Sequence, residues 1–197
     1  MIHPKRAAQL SLLAYESSEE VRDITREWGY VSTLLSSGSN QCFVHKSDTD
    51  TIVAFRGTEF LSLSFPDLLT NIRARQIESV IGGTMVHEGY RDAAWDLVPS
   101  VKPMLEGDVT FVGHSLGGCL ALIAGVYLRP SSVYTFNATK CGDRNFANKY
   151  PIDVFRFVSK NDFFQSFPSD TKEWAHVGKK ILLESKGHSM KSMVDVL

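Results

Sequence analysis

The stretch "VTFVGHSLGGCLALIAG", residues 109–125, constrains the fold more than any other. An apolar run ending in Gly113 is followed by Gly113-His114-Ser115-Leu116-Gly117, a G-x-S-x-G pattern. After it, Leu116, Leu120, Ile123, Ala124 and Tyr127 recur at helical spacing. A serine held between a buried strand and a buried helix sits on a turn so sharp that the flanking residues cannot carry bulky side chains, and Gly113 and Gly117 meet that need. Such a turn leaves the first N–H groups of the helix without intrahelical partners, so the Leu116 N–H is available to a developing oxyanion. Strand, turn and helix together read as a nucleophile elbow with Ser115 at its tip and His114 beside it.

The pattern on either side fits a layered α/β chain. Ala7, Leu10, Leu13 and Ala14 mark one face of a first helix, and Ser17 with Glu20 has the spacing of a capping box for a second that ends near Gly29. "QCFVHK" and "TIVAFR", joined by "SDTD", predict a β-hairpin. Tyr90, Ala94, Leu97, Val101 and Leu105 have helical spacing, with Pro99 and Pro103 expected to bend or shorten that helix. After the elbow helix come strand "SVYTF", a polar helix around Phe146, strand "DVFRFV", a long strand or hairpin in "EWAHVGKKILLES" and a short closing helix in "SMKSMVDVL". Strand and helix alternating in this order imply a mostly parallel central sheet flanked by helices. With 197 residues, no repeat and no linker, the expectation is one domain over residues 1–197. Residues 60–81 are less regular and predict either a packed loop or a lid-like segment, around residues 60–80, over a site.

Composition narrows the function classes. A formal charge of −1, with 22% charged residues, offers no field to gather nucleic acid, and no apolar run approaches the roughly 20 residues of a membrane span. The N-terminal residues read as an amphipathic helix rather than a signal peptide. Cys42, Cys119 and Cys141 form a sparse, odd set with neither metal-ligand spacing nor a disulfide framework. The expectation is therefore a cytoplasmic protein with no metal or organic cofactor and no nucleic-acid partner.

Several blocks resemble one family. "VTFVGHSLGGCLALIAG" and the upstream "VAFRGTE" are similar to the class 3 lipases, fungal-type triacylglycerol lipases with an α/β-hydrolase fold. The resemblance continues through "VHEGYRDAAWDL", "YTFNATKCGDRNFANKY", "FRFVSKNDFFQSFP", "HVGKKILLE" and "GHSM", covering roughly residues 52–190. It implies a serine hydrolase of carboxylic esters acting through an acyl-enzyme, with a small-molecule ester or lipid as its partner, in some cases at a lipid surface, and with lipase, esterase and phospholipase A1-like substrates all open. The same resemblance implies that Thr58, in "FRGTE", supplies the second oxyanion donor beside Leu116.

The acid of a hydrolase triad follows the Ser and precedes the His in α/β-hydrolases. Among Asp143, Asp153, Asp162, Asp170, Glu173, Glu184 and Asp195, Asp162 stands just past the C-terminal end of "VFRFV", where catalytic groups of parallel sheets gather. It also matches the Asp of the family's Asn-Asp block. Asp153 lies at the opposite edge. Two histidines compete for the base: His176, within an expected strand, and His188, in a loop after Gly187 and before a short helix. His188 is the better placed, and it matches the family's C-terminal His block. His114 is expected to pack or support rather than react.

The chain departs from the family pattern at Asn137, Thr139, Lys140 and Asp143, which stand for Gly, Pro, Arg and Asn, and at Asn71, where many relatives have Asp. The first four are expected to bear on substrate preference and Asn71 on lid anchoring. If the lid forms, Phe60, Leu61, Phe65 and Leu68 are its acyl-contacting residues, with Leu63 and Leu69 beside them. Two alternatives use the same chain: a non-catalytic hydrolase scaffold that binds a ligand or partner, and acyl transfer to an alcohol instead of water.

Overall fold

The computed structural model describes residues 1–57, 75–168 and 173–197. A seven-stranded sheet forms its centre, in the order β1-β2-β3-β6-β7-β8-β9. The strands are β1 (Val31–Ser37), β2 (Asn40–Lys46), β3 (Asp50–Phe55), β6 (Asp108–His114), β7 (Ser132–Phe136), β8 (Asp153–Lys160) and β9 (Lys179–Lys186). β1, β2 and β3 pair antiparallel, and every pairing from β3 to β9 is parallel. Two short strands, β4 (Gln76–Glu78) and β5 (Met85–His87), pair separately.

Both faces of the sheet are covered, and side-chain alternation along each strand divides the core. Val44, Val53, Phe55, Phe111 and Val133 enter one cluster, with α3 (Glu88–Val101), α4 (Leu116–Leu128) and α5 (Arg144–Lys149) packed on it. Phe43, Ile52, Ala54, Val112 and Tyr134 enter the other. There they meet α1 (Pro4–Leu13), α2 (Ser18–Glu27) and α6 (Met190–Val196). Strands buried on both sides read as continuous apolar runs, as "TIVAF" and "VTFV" do. Each fully buried Phe or Leu contributes roughly 1.5–3 kcal/mol of transfer free energy, and α4, apolar on all sides, has ten of its residues buried.

The helix expectations hold except at Leu105, which follows the turn after α3 in extended backbone instead of continuing the helix. Ser17 caps α2, its Oγ accepting from Glu20 N at 3.3 Å, and Tyr90, Ala94, Leu97 and Val101 are the buried positions of α3. Pro99 lies in the last turn of α3, which ends two residues before Pro103 enters a 3₁₀ turn. The hairpin is β2–β3, and "KKILLESK" is one strand, β9, rather than a hairpin. His176 corrects an expectation: it precedes β9 instead of lying within a strand, and is held by its Nε2–H donating to Gln165 O at 2.9 Å.

The parallel ladders align the strand ends. Phe55 pairs with Gly113, and His114 with Phe136. The residues that follow β3, β6, β7, β8 and β9 therefore gather at one sheet edge: Gly57, Ser115, Asn137, Asp162 and His188. Among the described residues, no helix is long and apolar enough to cross a membrane.

Candidate active site

Ser115 joins β6 to α4 with φ 56° and ψ −125°, a left-handed backbone that a non-glycine residue adopts at a cost of order 1–3 kcal/mol. Its N–H donates to Phe136 O at 2.9 Å, and its C=O accepts from Gly118 N at 3.1 Å. The two glycines of the motif are required by contact. A Cβ on Gly113 would overlap the Gly117 carbonyl, and one on Gly117 would overlap the Phe55 carbonyl and approach Gly57 N to 2.9 Å. The Ser115 Oγ is buried and accepts or donates no hydrogen bond among the described residues. Leu116 opens α4, so its N–H has no partner within the helix.

Asp162 and His188 come together from two separate strand ends. The His188 Nδ1 lies 3.0 Å from Asp162 Oδ1 and 2.9 Å from Oδ2, with the Asp162 side chain fully buried and that of His188 5% exposed. Asp162 Oδ1 also accepts from Phe164 N at 3.0 Å, and the Phe164 ring packs against His188 at 4.7 Å between centroids. A carboxylate accepts only, so the Nδ1–H of His188 is the donor of this pair.

His114 makes no hydrogen bond to the Ser115 Oγ and is buried. Its Nε2–H donates to His188 O at 3.0 Å, which makes Nδ1 the acceptor for the Tyr15 hydroxyl at 2.9 Å. Burial, reinforced by the nearby His188, pushes its pKa down to about 3, so the ring stays neutral and keeps this tautomer. Burial likewise raises the Tyr15 phenol and keeps it a donor. Tyr15 also lies against Gly57, where a Cβ would collide with its hydroxyl. Sequence reasoning did not single out Tyr15: a lone aromatic after a helix carries no signal of a partner 99 residues away.

Thr58, Phe60, Leu61, Phe65 and Leu68, like Leu63, Leu69 and Asn71, lie outside the described residues. Of the lid-like stretch, residues 75–80 are described, and 76–78 form β4 rather than a lid. Asn137, Thr139, Lys140 and Asp143 are engaged in the framework. Thr139 Oγ1 lies 3.1 Å from Cys119 Sγ, Lys140 Nζ donates to Ser166 O and Pro168 O at 3.0 and 2.8 Å, and Asp143 caps α5 through Phe146 N at 2.7 Å. Asn137 bonds to Ser159 and Gly187. No group of three or more His, Cys, Asp or Glu side chains among the described residues is arranged to hold a metal ion.

Residues 52–172 match the family model described as lipase (class 3). The chain belongs to the class 3 lipase family. A lipase of Rhizopus niveus is 27% identical over 174 residues, covering 78% of this chain and 44% of that protein. The chain thus spans less than half the length of that relative. A triacylglyceride lipase of Rhizomucor miehei has the same fold, with a TM-score of 0.75 at 20% identity over 91% of this chain and 78% of that one. A triacylglycerol lipase whose catalytic centre is described as a serine protease triad gives a TM-score of 0.76 at 20% identity, over 92% of this chain and 79% of that chain. The α/β fold of the fungal lipases, with its mostly parallel sheet between helices, is therefore the fold of this class 3 lipase chain.

Proposed function

We propose that this chain is a serine hydrolase of carboxylic esters, with Ser115 as nucleophile, His188 as general base and acid, and Asp162 as the residue that orients His188. The observation that carries the reading is the Asp162–His188 pair at the same sheet edge as a serine held at φ 56° on the elbow. In the first half-reaction His188 Nε2 takes the Ser115 proton while Oγ bonds to the ester carbonyl carbon. The carbonyl oxygen becomes an oxyanion facing the Leu116 N–H, and the Thr58 N–H is the second donor by family resemblance. Collapse breaks the bond to the alkoxy group, which leaves as an alcohol with the proton from His188. Water then gives its proton to His188, attacks the acyl carbon, and releases a carboxylic acid as Ser115 recovers its proton.

The substrate class is an acyl ester of a lipid, an acylglycerol or a phospholipid. The support is the family and the lipase names of its relatives in Rhizopus and Rhizomucor. Hydrolysis of p-nitrophenyl esters from acetate to palmitate, with Ser115→Ala alongside, tests the reading. Turnover that disappears in the variant and peaks at medium or long acyl chains is expected. A preference for acetate would make the chain a short-chain esterase, and turnover that survives Ser115→Ala would remove Ser115 from the mechanism.

A further inference from the structure

At the end of β7 the chain enters the left-handed region without a glycine. Asn137 has φ 48° and is fully buried, and Asn is among the side chains that best tolerate this backbone. Its amide is bonded on both ends. Oδ1 accepts from Ser159 N at 2.8 Å, while Nδ2 donates to Ser159 Oγ at 3.0 Å and to Gly187 O at 3.2 Å. Ser185 Oγ donates to Ser159 Oγ at 2.7 Å, so the ends of β8 and β9 are joined to the same group.

This bridge falls where the sheet itself stops holding register. Ser159 pairs with Leu183, but the next residue, Lys160, pairs with Lys186, so the β8–β9 ladder slips at this point. Beyond the slip Lys160 pairs with Lys186, and Gly187 N donates to Lys160 O at 3.1 Å. Gly187, one residue before His188, has its carbonyl held by Asn137. Phe136, one residue before Asn137, holds Ser115 through its carbonyl at 2.9 Å. Asn137 thus stands between the backbone anchor of Ser115 and the backbone anchor of His188.

We propose that Asn137 is a positioning residue for His188: its buried amide bridges the slip in the β8–β9 ladder and sets the distance from the base to Ser115. The role rests on the hydrolase reading above. It also gives a physical reason for Asn where the family pattern has Gly, since a glycine could supply the backbone angle but not the bridge. Asn137→Gly keeps the turn, removes the bridge, and leaves Ser159 N and Gly187 O without their partner.

A displacement of about 1 Å at a reacting group costs on the order of a hundredfold in rate. Asn137→Gly is therefore expected to lower kcat for a p-nitrophenyl ester by about ten- to a hundredfold with KM unchanged, and to slow fluorophosphonate labelling of Ser115 by the same factor. Ser159→Ala, which removes only the hydroxyl of the bridge, is expected to move both in the same direction by less, and it decides the matter if Asn137→Gly does not fold. In parallel, the downfield proton resonance of His188 Nδ1–H against Asp162 is expected to shift or broaden in Asn137→Gly. Wild-type kcat and labelling in both variants would overturn the positioning role and leave the triad intact. In a wild type that takes no label, the hydrolase reading itself fails, and persistence of an unchanged His188 resonance in Asn137→Gly then overturns the positioning role as well.

Discussion

Replacing Asp162 by Asn tests the orientation of His188 most sharply, because the structure dictates which way the amide must face. Asp162 Oδ1 accepts from Phe164 N at 3.0 Å, and an Asn side chain keeps that bond only by placing its own oxygen there. Its NH₂ then occupies the place of Oδ2, 2.9 Å from His188 Nδ1. An NH₂ group 2.9 Å from Nδ1 opposes a proton there and favours the tautomer in which Nδ1 accepts from it and Nε2 carries the proton, over donation to the oxygen retained at 3.0 Å. In that tautomer Nε2 has no lone pair for the Ser115 proton. A wrong-tautomer substitution of this kind costs about 10⁴ in kcat, equivalent to about 5.5 kcal/mol of transition-state stabilisation. The change is close to isosteric, so folding and KM should be kept. Steady-state hydrolysis of a p-nitrophenyl ester, with circular dichroism as the folding control, gives the answer. Turnover within tenfold of wild type in a folded Asp162→Asn variant would refute the reasoning.

Three further outcomes are expected. His45 and His114 are each pushed down to about 3, mainly by burial. Between pH 6.5 and about 3 the unfolded chain therefore binds protons that the native one does not, and stability falls as pH falls. The slope is about 1.4 kcal/mol per pH unit for each group, and urea midpoints that stay flat from pH 7 to pH 5 would contradict it. Tyr15→Phe leaves the buried His114 Nδ1 without its donor and should cost roughly 1–3 kcal/mol. This would read as a Tm lowered by about 2–4 °C per kcal/mol, and an unchanged Tm would remove the bond from the account. Gly117→Ala forces a Cβ into the Phe55 carbonyl and the Gly57 N–H. It should cost about 1–3 kcal/mol of stability and most of the turnover; a variant with wild-type Tm and kcat would show that strand and helix do not approach as described.

The nucleophile elbow is legible in the sequence because its requirements are local. Two glycines, a buried strand and an apolar helix all lie within residues 109–128, and the contacts of Gly113 and Gly117 are with the turn itself and the neighbouring strand. Asp162 and His188 are legible as strand-end residues, since a parallel sheet sends the ends of its strands to one edge. β1 escapes notice because it is an edge strand in "VSTLLSS", half exposed and rich in hydroxyls, so it carries no period-two pattern. β4 and β5 are too short, at three residues each, to carry any period.

Contacts between distant segments are the part that a sequence does not display. The bond from Tyr15 to His114 and the bridge from Asn137 to Gly187 depend on which elements become neighbours, and no spacing encodes that. The departures at Asn137, Thr139 and Lys140 read as changes near a substrate when only their order in the chain is considered. In the fold they are buried: 0%, 3% and 6% exposed, they hold strand ends and the segment after Asp162.

Activation of the Ser115 hydroxyl by His188 underlies every step of the proposed reaction. Mass spectrometry of the wild-type protein after brief exposure to a fluorophosphonate tests it most directly, because only a serine served by a base reacts quickly. A single phosphonyl adduct on the peptide containing Ser115 is expected, abolished in His188→Ala. Protein that stays unmodified, or a Ser115 adduct that forms as fast without His188, would contradict it.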